Sequence, residues 1–493
     1  MIIEKNKKMA NKCLSVIFII VNILFAMPSI FYYIEHKTIL KFEPYFKFLL
    51  NDSIYRGEQT IIYIVILAIL TILYFLIIKN RKEIFENIKK LFIFIAIVAI
   101  IFIAVIPFTC SDVFYYLGVG RLDSKYHQNP YYTTIKEFVD SGDNNKYLEQ
   151  DTVLEQGYIN DWSDSTVVYG PIWTIICKFV ASFSFGNIDI GLLVFKLVNV
   201  MIHLLNCYLI YKISNKKIFT LLYGINPFIL IEGIACVHND MFMILFMLLS
   251  LYFLVKKKNL ILSIVFLAIA TAIKYFTIIL LPFIIIYYFR NEKPSIRFLK
   301  CIRYGMLFFV VLIIPYLLYI RDWQVFSGLF IQQEKLAKSF YIIITEYFNN
   351  IPGLPGKINK FLLECFTIVY FFTCVILLNK KEIKFRKEIQ IANYFIMAFL
   401  FLLITNFQPW YIMWLFPCLI WQKAEDIKLI IQISLISQFA NSVFLTYGEG
   451  WRYGTPFTFC MITGVLISII YNTRMKQNYL KRKIEIDDKR QSK

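Results

Sequence analysis

Apolar runs long enough to cross a bilayer recur along this 493-residue chain from Cys13 to Asn472. A hydrocarbon core about 30 Å thick is crossed by roughly 20 apolar residues in α-helix. Backbone that spans lipid must satisfy its own hydrogen bonds, which leaves only helices or closed barrels. The strands of an outer-membrane barrel would alternate in polarity instead of staying apolar for about 18 residues or more. A soluble enzyme, a disordered chain and a secreted disulfide scaffold are excluded on the same ground. Composition agrees: 59% of residues are hydrophobic and 17% charged, against about a quarter charged in a soluble domain. The expected fold is all-α and polytopic.

The net charge of +19 does not point to nucleic acid, because the basic residues lie in short loops between apolar runs. That placement is a topology signal. The ten cysteines are scattered, with no CxxC or Cys/His cluster, so neither a metal nor a disulfide framework is expected. The basic start MIIEKNKKMANK precedes an apolar run from about Cys13 to Ile34, long enough to read as a span and not a signal peptide. The loop KNRKEIFENIKK (79–90) carries five basic and two acidic residues and is placed inside. The polar segment 108–168 then lies outside; it holds ten acidic and four basic residues and reads as a cap of short amphipathic helices.

Both 169–185 and 189–211 are apolar. If both crossed, later basic loops would face the wrong side, so 169–185 is read as re-entrant. Counting further runs to 454–472 gives roughly 14 transmembrane helices with both ends inside. The expected organisation is 1–107 as the first spans, 108–168 as the outer cap, 169–320 as the membrane core, 321–360 as a second outer loop and 361–493 as the last spans with a basic tail.

Polar residues collect at one expected membrane face. In CSDVFYYLGVGRLDSKYHQNPYY (110–132), Asp112 follows an apolar run, Arg121 comes nine residues later and Asn129-Pro130 makes a turn. Asp112 is either a helix cap or a general base at the membrane lip. In VVYGPIW (167–173), Gly-Pro after Tyr169 starts a helix or shapes a site. In LIEGIACVHNDMFM (230–243), Glu232, His238, Asn239 and Asp240 interrupt apolar sequence; one cap does not need four polar residues, and ionisable groups at membrane depth are usually functional. Lys274 stands alone among apolar residues, either snorkelling or serving as a cation for phosphate. In TNFQPWYIMWLFP (405–417), Trp410, Tyr411 and Trp414 suit an interfacial aromatic belt. Glu449 and Arg452 lie in a turn, TYGEGWRYGTP (446–456). Nucleotide-binding and nucleophile motifs are missing, and an outward site would find no nucleotide sugar, so a group donor should arrive on lipid.

Together these residues resemble the GT-C superfamily of integral-membrane glycosyltransferases, and within it the MptB-like, polyprenyl-phosphate-mannose-dependent mannosyltransferases of bacteria. The resemblance spans about 108–417 and rests on DVFYYLGVGR, NPY, YGPxW, the E-x5-HND junction, the lysine followed by a proline helix, and QPWY. It implies that Asp112 is the catalytic base. It implies that His238, Asn239 and Asp240, after Glu232, border the donor site, and that Lys274 lies near the donor phosphate. Arg121, Asn129, Tyr169, Gln408, Trp410 and Arg452 are then substrate-positioning or structural. The chain departs from the pattern in HQNPYY, where relatives often carry Gly before Asn-Pro, and no paired-acid motif stands beside Asp112, so no metal and no other cofactor is expected. The implied partners are a polyprenyl-phosphate-sugar donor, a glycolipid or glycan acceptor and membrane lipid, at the outer face of a bacterial plasma membrane. A transporter or flippase of lipid-linked sugar is the alternative; it would place polar groups near the midplane and often carry inverted repeats, and no repeat is visible.

Overall fold

The computed structural model describes residues 2–38, 56–328, 336–348, 353–380, 382, 384–442 and 454–491. Every regular element among them is helical, and the one β-type pairing among the described residues is an isolated parallel bridge, Ala337 to Asn406. Among the described residues, six helices are long and apolar enough to cross a membrane: Cys13–His36, Thr60–Ile84, Ile188–Ser214, Pro294–Leu318, Leu354–Asn379 and Thr455–Arg474. A seventh arises if Lys217–Gly224 and Ile229–Ala235, bent by 61°, count as one span. Only 11% and 6% of the apolar windows of Pro294–Leu318 and Leu354–Asn379 are buried in protein. Their side chains require lipid, since apolar surface on that scale is not left to water. The chain is a membrane protein.

The remaining apolar runs are shorter or broken, and the count of roughly fourteen is therefore not reproduced as fourteen continuous helices. Ile88–Ile101 has 14 residues and Pro171–Ser182 has 12; at about 1.5 Å per residue both fall short of a ~30 Å core. Between 217 and 289 the chain passes through a π-helical turn (Ile229–Ala235), the helices Asp240–Val255 and Leu260–Thr271, and a 3₁₀ segment Tyr275–Leu280 before Leu281–Tyr288. Hydropathy registers the apolar residues of this stretch but not the interruptions at Asn226-Pro227, Asn239 and Pro282. Helix ends follow local chemistry: Asn187 and Asn259 each accept a hydrogen bond from the third residue of the helix they open.

Segment 108–168 forms Asp112–Ser124, Ile135–Asp140, a 3₁₀ turn Asn144–Tyr147, and Thr152–Tyr158. Thr134 and Glu137 close a reciprocal capping box at the second of these. The two glycines of LGVGR allow Asp112–Ser124 to pack tightly. A Cβ on Gly118 would lie 2.8 Å from Gly157 Cα, and one on Gly120 would lie 2.2 Å from the Cys177 carbonyl oxygen. Residues 112–124 are thereby wedged between the cap helix Thr152–Tyr158 and the short helix Pro171–Ser182, which fixes the position of Asp112 at its first turn.

Candidate active site

Asp112 opens its helix after the turn Thr109–Ser111 and is 9% exposed. Its Oδ2 accepts a hydrogen bond from the hydroxyl of Tyr116, one turn on, at 3.2 Å. Tyr116 in turn meets the Tyr169 hydroxyl at 3.2 Å, so the first turn and the YGP turn share one network. His238 Nδ1 stands 4.0 Å from the same Oδ2. Burial raises the Asp112 carboxyl above its ordinary pKa, opposed by His238, the Tyr116 hydroxyl, Lys274 and Lys338.

His238 is fixed from three directions. Its ring stacks on Trp410 with centroids 3.8 Å apart. Its Nε2 lies 3.2 Å from Glu232 Oε2 and 3.3 Å from Cys110 Sγ. Glu232, fully buried, also accepts from Thr109 at 2.9 Å and from the Asn441 amide at 2.9 Å. The π-helical turn carries Glu232, and Val237 next to His238 adopts φ +59°, a strained state for a β-branched residue that persists only where the surroundings enforce it. The chain is bent there to turn His238, Asn239 and Asp240 inward.

Beyond His238, Asp240 Oδ1 accepts from Lys274 Nζ at 2.7 Å and from Trp414 Nε1 at 2.5 Å. Lys274 is buried, over the rings of Tyr411 and Trp414, so it pairs inward and does not snorkel. Several buried polar atoms of this group have no hydrogen-bond partner: His238 Nδ1, both amide atoms of Asn239, and Asp240 Oδ2. Buried polar groups are normally satisfied; their concentration in three consecutive residues beside Asp112 marks a place for a polar ligand.

Asp112 lines a pocket of about 440 Å³ with Tyr115, Trp162, Tyr169, Gln408 and Trp410. Gln408 is held by its amide donating to Asn406 Oδ1 at 2.7 Å. The structure thus gathers Asp112, Tyr169, Glu232, His238, Asn239, Asp240, Lys274, Gln408 and Trp410. Arg121 and Asn129 are engaged elsewhere: Arg121 Nε donates to Asp151 at 2.6 Å within the cap, and the Asn129 amide donates to the Tyr319 carbonyl at 2.6 Å. Arg452 lies outside the described residues. Trp410, Tyr411 and Trp414 belong to the site and not to an interfacial belt; Trp410 and Trp414 are about 5% exposed.

Sequence reasoning passed over Cys110, Tyr116, Asn441 and Lys338. Tyr116 was findable, since a residue four positions after Asp112 shares its helix face. Asn441 and Lys338 reach the site only through tertiary folding. Cys110, Asp112 and His238 bring three donor atoms within 4.8 Å of one another, a set that could hold a metal ion. Burial, with Asp112 and Glu232 nearby, pushes the Cys110 thiol well up, which disfavours the thiolate such a site would use.

No curated protein and no solved structure matches the chain. The family model described as alpha-(1->6)-mannopyranosyltransferase, N-terminal domain, matches residues 32–290, which include Asp112, Glu232, the HND turn and Lys274. The match covers just over half of the sequence, so the chain belongs to this mannosyltransferase family and is a membrane-embedded glycosyltransferase.

Proposed function

We propose that the enzyme transfers mannose from a polyprenyl-phosphate donor to a hydroxyl of a glycolipid or cell-envelope glycan, with inversion and with Asp112 as general base. The observation that carries this reading is Asp112 itself: a buried carboxylate lining the pocket, with one oxygen held by Tyr116 and faced by His238. The acceptor oxygen attacks the anomeric carbon while its proton passes to Asp112. The bond from that carbon to the phosphate oxygen breaks, its electron pair leaves with the phosphate, and the centre passes through oxocarbenium character. A single displacement requires one base, and one base lines the pocket. The growing charge on the phosphate calls for a fixed cation; Lys274 and Lys338 both act on the Asp112 carboxyl. The scarcity of basic residues in 108–168 against the basic loops elsewhere supports an active site on the outer face of the membrane.

The test uses the full-length protein in nanodiscs with radiolabelled polyprenyl-phosphate mannose and, separately, polyprenyl-phosphate glucose, each with a total lipid extract as acceptor. Transfer from the mannose donor is expected. Label moving from neither donor, with the protein folded, would contradict the reading.

A further inference from the structure

A second lysine approaches Asp112 from a part of the chain outside the matched family region. Lys338 lines an apolar groove of about 940 Å³ with Phe340, Leu400, Phe407, Ile433 and Leu466. The neighbours of Phe407, Asn406 and Gln408, line the pocket at Asp112, so groove and pocket adjoin. Among the described residues no carboxylate forms an ion pair with Lys338; its ammonium lies 5.7 Å from the Phe457 ring centroid. Burial lowers its pKa while Cys110, Glu232 and Asp112 act in the opposite sense. Lys338 is half-buried, and a cation in largely apolar surroundings with no ion pair among the described residues is costly.

The backbone holds this side chain in place at a further cost. Lys338 adopts φ +51°, the left-handed region that a long side chain rarely occupies. Its flanks are tied to the segment Thr405–Phe407. The Ala337 N–H donates to the Thr405 carbonyl at 3.1 Å, the Phe407 N–H donates to the Ala337 carbonyl at 2.8 Å, and the Ser339 hydroxyl donates to the Thr405 carbonyl at 2.6 Å. Lys274 lines an apolar groove of its own with Phe276 and Phe399 but differs in its pairing: it is ion-paired to Asp240 at 2.7 Å, and an anion brought to it would also meet that carboxylate.

We propose that Lys338 binds the phosphate of the lipid-linked sugar donor, and that the groove beside it holds the donor's isoprenoid tail. This rests on the donor class proposed above. The donor phosphate carries one negative charge as a diester and gains a second when its bond to the anomeric carbon breaks and it leaves as the monoester. Lys338, which forms no ion pair among the described residues, supplies the positive charge this change requires, while Lys274 holds Asp240. A long isoprenoid chain suits a groove lined by hydrocarbon, with its one cation towards the reacting centre.

The experiment measures binding of radiolabelled polyprenyl phosphate, the released product, to full-length protein in nanodiscs without acceptor, so that no transfer is needed. Lys338→Met should weaken binding roughly 10- to 100-fold, as loss of a charge-assisted contact implies. Lys338→Arg should retain most of it, and Leu466→Trp should weaken it by filling the groove. Equal binding by wild type and Lys338→Met overturns the assignment and leaves the transferase reading standing. Failure of the wild type to bind polyprenyl phosphate overturns both the assignment and the donor class.

Discussion

The imidazole of His238 and the carboxylate of Asp112 stand 4.0 Å apart, Nδ1 to Oδ2. On the far side of the ring, Nε2 meets Glu232 at 3.2 Å. His238 therefore joins the first turn of the helix Asp112–Ser124 to the bent junction before Asp240, two parts of the chain far apart in sequence. The Asp112 carboxylate is positioned by this link and by Tyr116, and it faces a pocket.

Burial raises the Asp112 pKa and the Tyr116 hydroxyl lowers it. A general base works in its deprotonated form, so transfer should fall as pH drops through the folded-state value, on an acid limb lying above that of an ordinary aspartate. Tyr116→Phe removes a stabiliser of the charged form, and the acid limb should move to higher pH. The pH dependence of kcat/KM for wild type and variant measures this; an unmoved limb would assign the titration to another group.

Glu232 is a buried acceptor for Thr109, Asn441 and His238. Replacing it with Ala removes an acceptor shared by these three buried groups and should cost about 3–5 kcal/mol of stability. Glu232→Gln can keep part of the network and should cost less. Thermal unfolding of both variants in the same detergent reads the order.

Gly120 faces the Cys177 carbonyl with no room for a Cβ. Gly120→Ala should push the Asp112 helix off Pro171–Ser182, with a loss of about 1–3 kcal/mol or more and a fall in activity from displacement of Asp112. Gly142→Ala meets open space but carries φ +57°, so its smaller cost should leave activity intact. Comparing Tm with transfer rate for the two variants separates displacement of the site from general destabilisation.

The proposed transfer has no metal step. Chelation with EDTA or 1,10-phenanthroline should leave transfer unchanged, and Cys110→Ser should retain activity to within a few-fold. Loss of activity on chelation, restored by one particular ion, would instead make Cys110, Asp112 and His238 its ligands.

Much of the site was legible in the sequence because membrane burial makes polar residues conspicuous. Asp112, Glu232, the HND turn and Lys274 interrupt apolar runs, and the structure brings them together. The crossing count was less legible: a hydropathy run does not record the π-helical turn at Ile229–Ala235, the 61° bend before it or the 3₁₀ stretch after Lys274. Arg121 and Asn129 carry the look of site residues, yet Asp151 and the Tyr319 carbonyl take up their polar groups. Lys338 was hidden for the opposite reason. In a loop rich in polar residues one lysine draws no notice, and the bonds from Ala337 and Ser339 to the segment Thr405–Phe407 bring it beside the site.

The central claim is that Asp112 is the base. Its most direct test is the rate of mannose transfer from polyprenyl-phosphate mannose by Asp112→Asn in nanodiscs, with Tm and polyprenyl-phosphate binding measured on the same preparation. The account predicts a fall of about 10²–10⁴-fold with both controls close to wild type. Transfer by Asp112→Asn near the wild-type rate would contradict it.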